Sequence, residues 1–140
     1  MKPKALFHLA YHVGDLKVAR HFYCDLLGCR EGRSAPTWVD IDFFGHQLSL
    51  HLGEPFVTSD TGFVDGIAVP MPHLGAVMPL DDWEGVRDRL AGAEGVDYVF
   101  EPMLRYAGEP GEQWTLFVRD PFGNPIELKG FRDMDMVYAV

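Results

Sequence analysis

The sequence predicts an α+β fold made of two similar modules, and internal repetition is the main reason. The segment Asp42–Leu50 matches Asp120–Leu128 at a constant offset of 78 residues, sharing the pattern D-x-F-G and a hydrophobic strand after it. Upstream, His8–Ala10 matches His73–Gly75. In both halves a helix is predicted directly after the opening strand. Such self-similarity indicates duplication of one structural unit.

Module one, residues 1–52, reads as β-α-β-β-β. Asp15 is placed to cap the predicted helix, whose apolar residues recur at helical spacing, and Gly28 ends it. Alternating polar and apolar residues then indicate strands, joined by a turn at Gly45. The elements are predicted as strand 5–13, helix 16–27, a short polar segment from Arg30, strand 38–44 and strand 47–52.

Residues 53–72 are rich in Gly and Pro and are expected to form a linker to module two, residues 73–131. Asp81 or Asp82 is expected to cap the second helix, and Gly95 to close it. Residues 132–140 are expected to be a C-terminal tail. The strands of module two are predicted at 73–80, 98–104, 113–119 and 125–131.

Composition narrows the classes of function. A chain of 140 residues with 47% hydrophobic residues is one domain with its own core. Its formal net charge of −9 disfavours nucleic acid as a partner. No apolar run is long enough to cross a membrane and the first residues do not resemble a signal peptide, so a cytoplasmic location without membrane attachment is expected. Cys24 and Cys29 fit reduced thiols without a catalytic role.

The repeat also selects candidate metal ligands. Residues four apart on a strand share a face but lie about 13 Å from each other. His8 and His12 therefore cannot bind one ion together, because nitrogen ligands lie about 2.0–2.1 Å from a metal. Of the two, only His8 has a counterpart in module two, His73. We therefore predict that His8, His73 and Glu127 converge on one metal ion.

The position that matches Glu127 in module one is occupied by Ser49. A fourth protein ligand is thus missing, which leaves room for a substrate. Two imidazoles and one carboxylate with open positions are typical of non-haem Fe(II) enzymes. His51 shares the predicted face of Ser49, and it is open whether it lines the pocket or substitutes as a ligand. Singly, strand histidines and a strand glutamate are more often surface residues.

The sequence resembles the vicinal oxygen chelate superfamily, which includes glyoxalases, bleomycin-resistance proteins and extradiol dioxygenases, over nearly its full length. The resemblance implies two βαβββ modules that form a cupped mixed sheet around a divalent ion, with the helices outside. Vicinal oxygens of the substrate would chelate that ion. The matching segments are His8–Ala10, Val13–Leu16, Phe22–Tyr23, Leu26–Gly28, His73 with Asp82–Trp83, and Asp120–Glu127, of which the last is the most specific.

Within that superfamily, glyoxalase I enzymes carry a fourth ligand at the position of Ser49, so its absence argues against that activity. Extradiol dioxygenases and fosfomycin-resistance transferases both use His, His and Glu, but no basic cluster for a phosphonate is evident near Glu127. The resemblance to extradiol enzymes makes His46 the candidate acid–base residue. Those enzymes have a tyrosine where this chain has Phe117, and Tyr11, Tyr106 or His51 are candidates to replace its hydroxyl.

Our leading hypothesis is therefore a dioxygenase-like oxidoreductase that uses Fe(II) and O2 on a small vicinal-diol or catechol-type substrate, similar to small single-domain members of the superfamily. Ser49, His51, Tyr106 and Phe117 would line its substrate pocket. One alternative is a glyoxalase- or epimerase-type lyase or isomerase working through a metal-bound enediolate with Mn(II), Ni(II), Co(II) or Zn(II). A second is a non-catalytic antibiotic-binding protein. A homodimer is expected, because exposed sheet edges need cover.

Overall fold

A computed structural model describes residues 4–140. The chain divides into two compact units, Met1–Phe56 and Val57–Val140, called here the first and the second unit. Each unit contains a four-stranded mixed sheet and helical segments. The predicted α+β class is confirmed. No helix among the described residues is long and apolar enough to span a membrane.

The first unit has the predicted β-α-β-β-β order. Asp15 caps the helix by accepting a hydrogen bond from the backbone N–H of Val18, and the helix continues from His21 as π-helical turns. The sheet order is β1-β4-β3-β2, with β1 parallel to β4 and the other pairs antiparallel. The elements are β1 (His8–Val13), α1 (Leu16–Arg20), the π-helical segment His21–Leu26, β2 (Arg30–Ala35), β3 (Trp38–Phe43) and β4 (His46–Leu52).

The second unit repeats this arrangement after a hairpin. Its large sheet has the order β7-β10-β9-β8, again with one parallel pair, β7 and β10. Helix α2 packs on one face, where the buried indole of Trp83 donates to the carbonyl of Leu128 at 2.9 Å. The elements are β5 (Ser59–Val64), β6 (Ile67–Met71), β7 (Leu74–Pro79), α2 (Leu80–Ala91), β8 (Asp97–Arg105), β9 (Gln113–Arg119), β10 (Pro125–Phe131) and a 3-10 turn, Met134–Met136.

Strand register supports the duplication inferred from sequence. In the first unit Ala10 lies opposite Ser49, and in the second Gly75 lies opposite Glu127, so the repeat aligns the same cross-strand pairs. The shared D-x-F-G pattern forms the turn before β4 and the loop before β10. Its glycines, Gly45 and Gly123, both have positive φ, a conformation that other residues adopt only with strain.

The segment 53–72, expected to be a linker, contains the hairpin of β5 and β6. A two-residue turn at Asp65-Gly66, with positive φ at both positions, connects its strands. This Asp-Gly turn between apolar residues is a strong hairpin signal. The surrounding Gly and Pro residues hide the alternation of the two strands, which is why the segment reads as a linker.

The second helix begins earlier than predicted. It starts at Leu80 with Pro79 at the N-cap position, and no side chain caps it. Asp81 and Asp82 lie inside the first turn, where their charges favour the positive end of the helix dipole. The helix ends at Ala91, before Gly95. Acidic residues near the start of a predicted helix can occupy either the N-cap position or the first turn. Here Asp81 and Asp82 occupy the first turn.

Candidate metal centre

Two of the three predicted metal ligands meet in the second unit. His73 directly precedes β7, and Glu127 lies in the neighbouring strand β10. The Nε2 atom of His73 is 3.5 Å from Oε1 of Glu127. Two ligands about 2.1 Å from one ion at a tetrahedral angle are themselves about 3.4 Å apart. The spacing of this pair therefore fits joint coordination of a divalent ion.

The other polar side-chain atoms of His73 and Glu127 form hydrogen bonds with neighbouring groups. The Nδ1 atom of His73 lies 2.8 Å from the carbonyl oxygen of Pro70, to which it donates as Nδ1–H, so Nε2 keeps its lone pair for a metal. Thr115 donates its hydroxyl to Oε2 of Glu127 at 2.8 Å, leaving Oε1 on the side of His73. Such outer hydrogen bonds orient ligands in metalloproteins. Sequence reasoning missed Pro70 and Thr115, because neither residue type marks a metal site.

Gly75 permits the close approach of the strands that carry the pair. A Cβ atom at this position would overlap the backbone carbonyl oxygen of Glu127 and lie 3.1 Å from its carbonyl carbon. Any larger residue would push β7 and β10 apart at the residue that bears the carboxylate. The glycine of the His-Leu-Gly segment is therefore a local requirement of the candidate site.

Phe117, predicted to line the substrate pocket, packs against the pair. Its ring is fully buried and makes an edge contact with the imidazole of His73, with centroids 4.8 Å apart. Val69 of the hairpin and Phe100 of β8 pack with it in one apolar cluster. The hairpin therefore covers Phe117 on this face of the sheet, and its role as a pocket residue stays a prediction.

Ion pairs hold the hairpin at both ends. Asp65 at its turn pairs with Arg105 of β8 at 3.1 Å, and Asp60 pairs with Arg119 of β9 at 3.5 Å. Together with the Val69 cluster, these contacts place β5 and β6 over the face that carries Glu127. The hairpin also contributes the Pro70 carbonyl that orients His73. It is therefore a structural part of the candidate centre.

The third predicted ligand, His8, belongs to the first unit. It starts β1, opposite Gln47, with its side chain exposed. Among residues 4–140, no group of three or more His, Cys, Asp or Glu side chains has the arrangement of a metal site. The ligand role of His8 therefore stays a prediction, while His73 and Glu127 lie together.

In the first unit, Ser49 is buried and donates its hydroxyl to Asp40 at 2.6 Å. The side-chain amide of Gln47 donates to the other oxygen of Asp40 at 3.2 Å. Asp40 of β3 lies opposite Ser49, so a carboxylate does occupy this face, but on the neighbouring strand. The alternation of Trp38, Asp40 and Asp42 indicated a polar face, but only the structure identifies Asp40 as the partner of Ser49.

His46, the predicted acid–base residue, lies on the opposite face of β4 from Ser49. It pairs with Phe43 across the strands, and its Nδ1 accepts a hydrogen bond from the backbone N–H of Phe7 at 2.9 Å. The structure therefore does not place His46 with Ser49. His46 lines an open depression of about 390 Å³ whose other lining residues are Leu6, Gly32, Arg33, Asp40, Ile41, Asp42, Gly45 and Gln47.

The remaining predicted pocket residues lie apart from one another. His51 is exposed on the Ser49 face, next to the ring of Trp38. Tyr106 follows β8 and contacts Arg105 through both its hydroxyl and its ring. Tyr11 points to the helix-covered face, where its hydroxyl contacts that of Tyr23. Of these, Tyr106 lies in the same unit as the His73–Glu127 pair.

Two groups outside the candidate centre have shifted pKa values. Burial, helped by the nearby carboxylates of Glu31 and Asp25, raises the pKa of the Cys24 thiol. Burial and Glu101 raise the pKa of Tyr98. A thiol with a raised pKa is a weak nucleophile near neutral pH.

Two units of equivalent strand order, one of them carrying an oriented His–Glu pair, define a class of duplicated α+β proteins. The family model for the Glyoxalase/Bleomycin resistance protein/Dioxygenase superfamily matches residues 5–128. The chain belongs to this superfamily, which confirms the family resemblance. No curated protein matches the sequence significantly.

Solved structures of the superfamily resemble the whole chain. A glyoxalase/bleomycin resistance protein/dioxygenase from Alicyclobacillus acidocaldarius is 29% identical, with a TM-score of 0.72 and 96% of this chain and 97% of that one covered. A fosfomycin resistance protein from Mesorhizobium loti is 15% identical (TM-score 0.65, coverage 92% and 93%). The oxidase ChaP-H2 is 20% identical (TM-score 0.62, coverage 91% and 93%). The last two show a shared fold alone.

Proposed function

We propose that the protein is a metal-dependent enzyme that oxidises a small vicinal-diol or catechol-type substrate with O2. The observation that carries this proposal is the His73–Glu127 pair, with facing atoms 3.5 Å apart and the remaining polar atoms held by Pro70 and Thr115. In metalloproteins, hydrogen bonds from neighbouring groups usually orient the side chains that bind the metal, as Pro70 and Thr115 do here. Membership of a superfamily with metal-dependent members supports the same interpretation.

In this proposal His8 supplies the third ligand and Ser49 supplies none. A divalent ion, with Fe(II) favoured over Mn(II), Ni(II), Co(II) or Zn(II), would contribute Lewis-acid and redox chemistry when bound. The hydroxyl of Ser49 is already engaged by Asp40, which supports its exclusion from the ligand set.

The other residues of the second unit would orient and shield the site. Pro70 fixes the imidazole of His73, and Thr115 fixes the carboxylate of Glu127. The hairpin excludes water from the Phe117 side of the pair, because Val69 and Phe117 are both fully buried. His46 stays the predicted acid–base residue. Asp40, which accepts the hydrogen bond of Ser49, is a second candidate for this role, and the variants His46→Ala and Asp40→Asn compare the two.

We also propose a homodimer in the cytoplasm. Both large sheets are open, so β1, β2, β7 and β8 are edge strands that a second copy could cover. The hairpin exposes Phe63, an apolar side chain of the kind that subunit contacts bury. Light scattering during size-exclusion chromatography tests this proposal, and a mass near 15.8 kDa would contradict it.

Anaerobic reconstitution with Fe(II) tests the proposed activity. We expect about one ion per chain by metal analysis and O2 consumption when catechols are screened with an oxygen electrode. Glu127→Gln is the inactive control, and Ser49→Ala is the matched change in the first unit. Stoichiometric metal without O2 uptake would favour the isomerase alternative, while failure to retain any metal would favour a non-catalytic binding protein.

A further inference from the structure

A second polar group lies at the far end of the face that carries Glu127. It consists of Gln113 of β9 and Arg105 of β8, called here the polar anchor. We propose that the polar anchor binds a neutral carboxamide-like group of the substrate, in which a carbonyl oxygen adjoins an N–H. This inference rests on the proposed function, because it names the substrate class for the same site.

Strand register places the polar anchor and the metal pair on one face. Glu127 lies opposite Phe117, and Arg105 lies opposite Gln113. Side chains two apart on a strand share a face, so Phe117, Thr115 and Gln113 point the same way. The hydrogen bond from Thr115 to Glu127 confirms that orientation. Gln113 is one such step beyond Thr115, about 6.6 Å along the strand.

Gln113 has a buried acceptor that no group satisfies. Its side chain is only 9% exposed, and its Nε2 donates to the carbonyl oxygen of Gly111 at 3.2 Å. Within residues 4–140, its Oε1 is buried and has no hydrogen-bond partner. Buried side-chain oxygens almost always have a donor. An N–H or O–H of a ligand would supply one.

Arg105 offers a complementary donor. Its side chain is 12% exposed, its Nε pairs with Asp65, and one terminal nitrogen, Nη2, donates to the hydroxyl of Tyr106 at 2.8 Å. The other terminal nitrogen, Nη1, makes no hydrogen bond to the described part of the chain. Tyr106 has a φ of +57°, a strained conformation that is common at binding sites, and is 48% exposed. The polar anchor thus reaches the protein surface at Tyr106.

The charges near the polar anchor favour a neutral group over a carboxylate. Asp65 offsets the charge of Arg105, and the Gln113 oxygen would repel a carboxylate oxygen. Lys129, opposite Thr115 on the same face, is only half-buried, so solvent screens its charge. Arg105 supplies a donor and Gln113 an acceptor, the two hydrogen-bonding functions that complement a carbonyl and an N–H.

Calorimetric titration of the full-length Ni(II)-loaded protein tests the inference with three ligands: 3,4-dihydroxybenzamide, 3,4-dihydroxybenzoate and 4-methylcatechol. We expect the benzamide to bind about tenfold more tightly than 4-methylcatechol, because one additional satisfied hydrogen bond changes affinity by about this factor. In Gln113→Met, similar in length but without the amide oxygen, the two should bind within about twofold. The affinity for 4-methylcatechol should not change.

Two further variants separate the polar anchor from general effects on folding. Arg105→Lys keeps a charge for Asp65 but removes the free guanidinium nitrogen, and the preference for the benzamide should fall as in Gln113→Met. Trp114→Phe alters the opposite face of β9 and should keep the preference. Equal binding of benzamide and 4-methylcatechol by the wild type, or an unchanged preference in Gln113→Met, would overturn the inference. Tighter binding of the benzoate would also overturn it and assign this end of the face to Lys129.

The same titrations distinguish failure of the proposed function. If 4-methylcatechol does not bind the Ni(II)-loaded protein, the proposed chelation of vicinal oxygens is wrong. Unsubstituted benzamide then tests the polar anchor by itself. Binding to the wild type that Gln113→Met abolishes would support the anchor, whereas absent or unchanged binding would overturn it.

Discussion

The two large sheets of this protein have the same strand order but different surroundings. In the first unit, helical residues cover one face and the Ser49 face exposes His8, His12 and His51. In the second unit, α2 packs on one face and the hairpin covers the Glu127 face. Duplication has therefore kept the strand framework and changed what covers it.

The chemistry of the two equivalent faces has also diverged. Ser49 stands where the second unit has Glu127, and the carboxylate of the first unit comes from Asp40. By register, Asp40 corresponds to Phe117, the buried ring beside His73. The first face thus carries the Ser49–Asp40 hydrogen bond beside exposed histidines, and the second holds an oriented His–Glu pair next to an apolar cluster. The metal binding proposed above would therefore depend mainly on the second unit.

The largest effect is expected from removing a ligand. Glu127→Gln and His73→Ala should each weaken Ni(II) or Fe(II) binding by more than about 100-fold, exceeding the effect typical of outer-shell changes. Ser49→Ala, at the equivalent position of the first unit, should leave metal affinity unchanged. Calorimetric metal titration with circular dichroism as a folding check measures both. Equal losses in Ser49→Ala and Glu127→Gln would break the proposed asymmetry.

An intermediate effect is expected at Thr115. Thr115→Val keeps the shape but removes the donor to Glu127, and should lower metal affinity about 10–100-fold. Thr115→Ser keeps the hydroxyl and serves as the control. In Thr115→Val the Oε2 atom of Glu127 is buried without a donor. The free energy of unfolding of the metal-free protein should therefore also fall by about 1–3 kcal/mol in this variant. Unchanged affinity in Thr115→Val would show that this hydrogen bond does not orient the ligand.

Opposite substitutions at one repeat position sharpen the comparison further. Gly75→Ala should lower the free energy of unfolding by about 1–3 kcal/mol, because the new Cβ overlaps the backbone of Glu127. Ala10→Gly, the reverse change in the first unit, should cost only about 0.5–1 kcal/mol of backbone entropy. Urea unfolding followed by circular dichroism measures both. A smaller loss in Gly75→Ala than in Ala10→Gly would contradict the close approach.

The smallest effect concerns the first unit alone. Because burial and nearby carboxylates raise the pKa of Cys24, less of its thiol is deprotonated at pH 8 than for an ordinary cysteine. Iodoacetamide should therefore label it more slowly than free cysteine, and the rate should increase as the pH rises past 9. Mass spectrometry of the peptide containing Cys24 measures the labelling. A rate at pH 8 equal to that of free cysteine would contradict the shift.

The sequence was most informative where the two halves repeat each other. The matched D-x-F-G and His-Leu segments predicted the strand order, and they selected His73 and Glu127, which the structure brings together. The hydrogen-bond partners of the pair could not be predicted in this way. A threonine hydroxyl and a backbone carbonyl occur throughout any protein and do not by themselves indicate a metal site. Only the fold places the hydroxyl of Thr115 and the carbonyl of Pro70 beside the His73–Glu127 pair.

At two places the structure adds what the sequence does not reveal. The hairpin was taken for a linker because its Gly and Pro residues conceal the alternation of its strands. Phe117 was expected in an open pocket because nothing in its own strand announces the hairpin that covers it. The resemblance to extradiol enzymes selects His46 as the acid–base residue, and this role stays a prediction, because residues an odd number apart on a strand point to opposite faces and His46 does not share the face of Ser49.

The hairpin has a consequence for how ligand preference can change over evolution. β5 and β6 form a sheet of their own, without backbone pairing to the strands that carry His73 and Glu127. Insertions or deletions at the Asp65-Gly66 turn can therefore lengthen or shorten this cover while the strand ladder stays intact. Such changes would alter the cover of the candidate site on an unchanged strand framework, and the turn is the natural place for laboratory libraries.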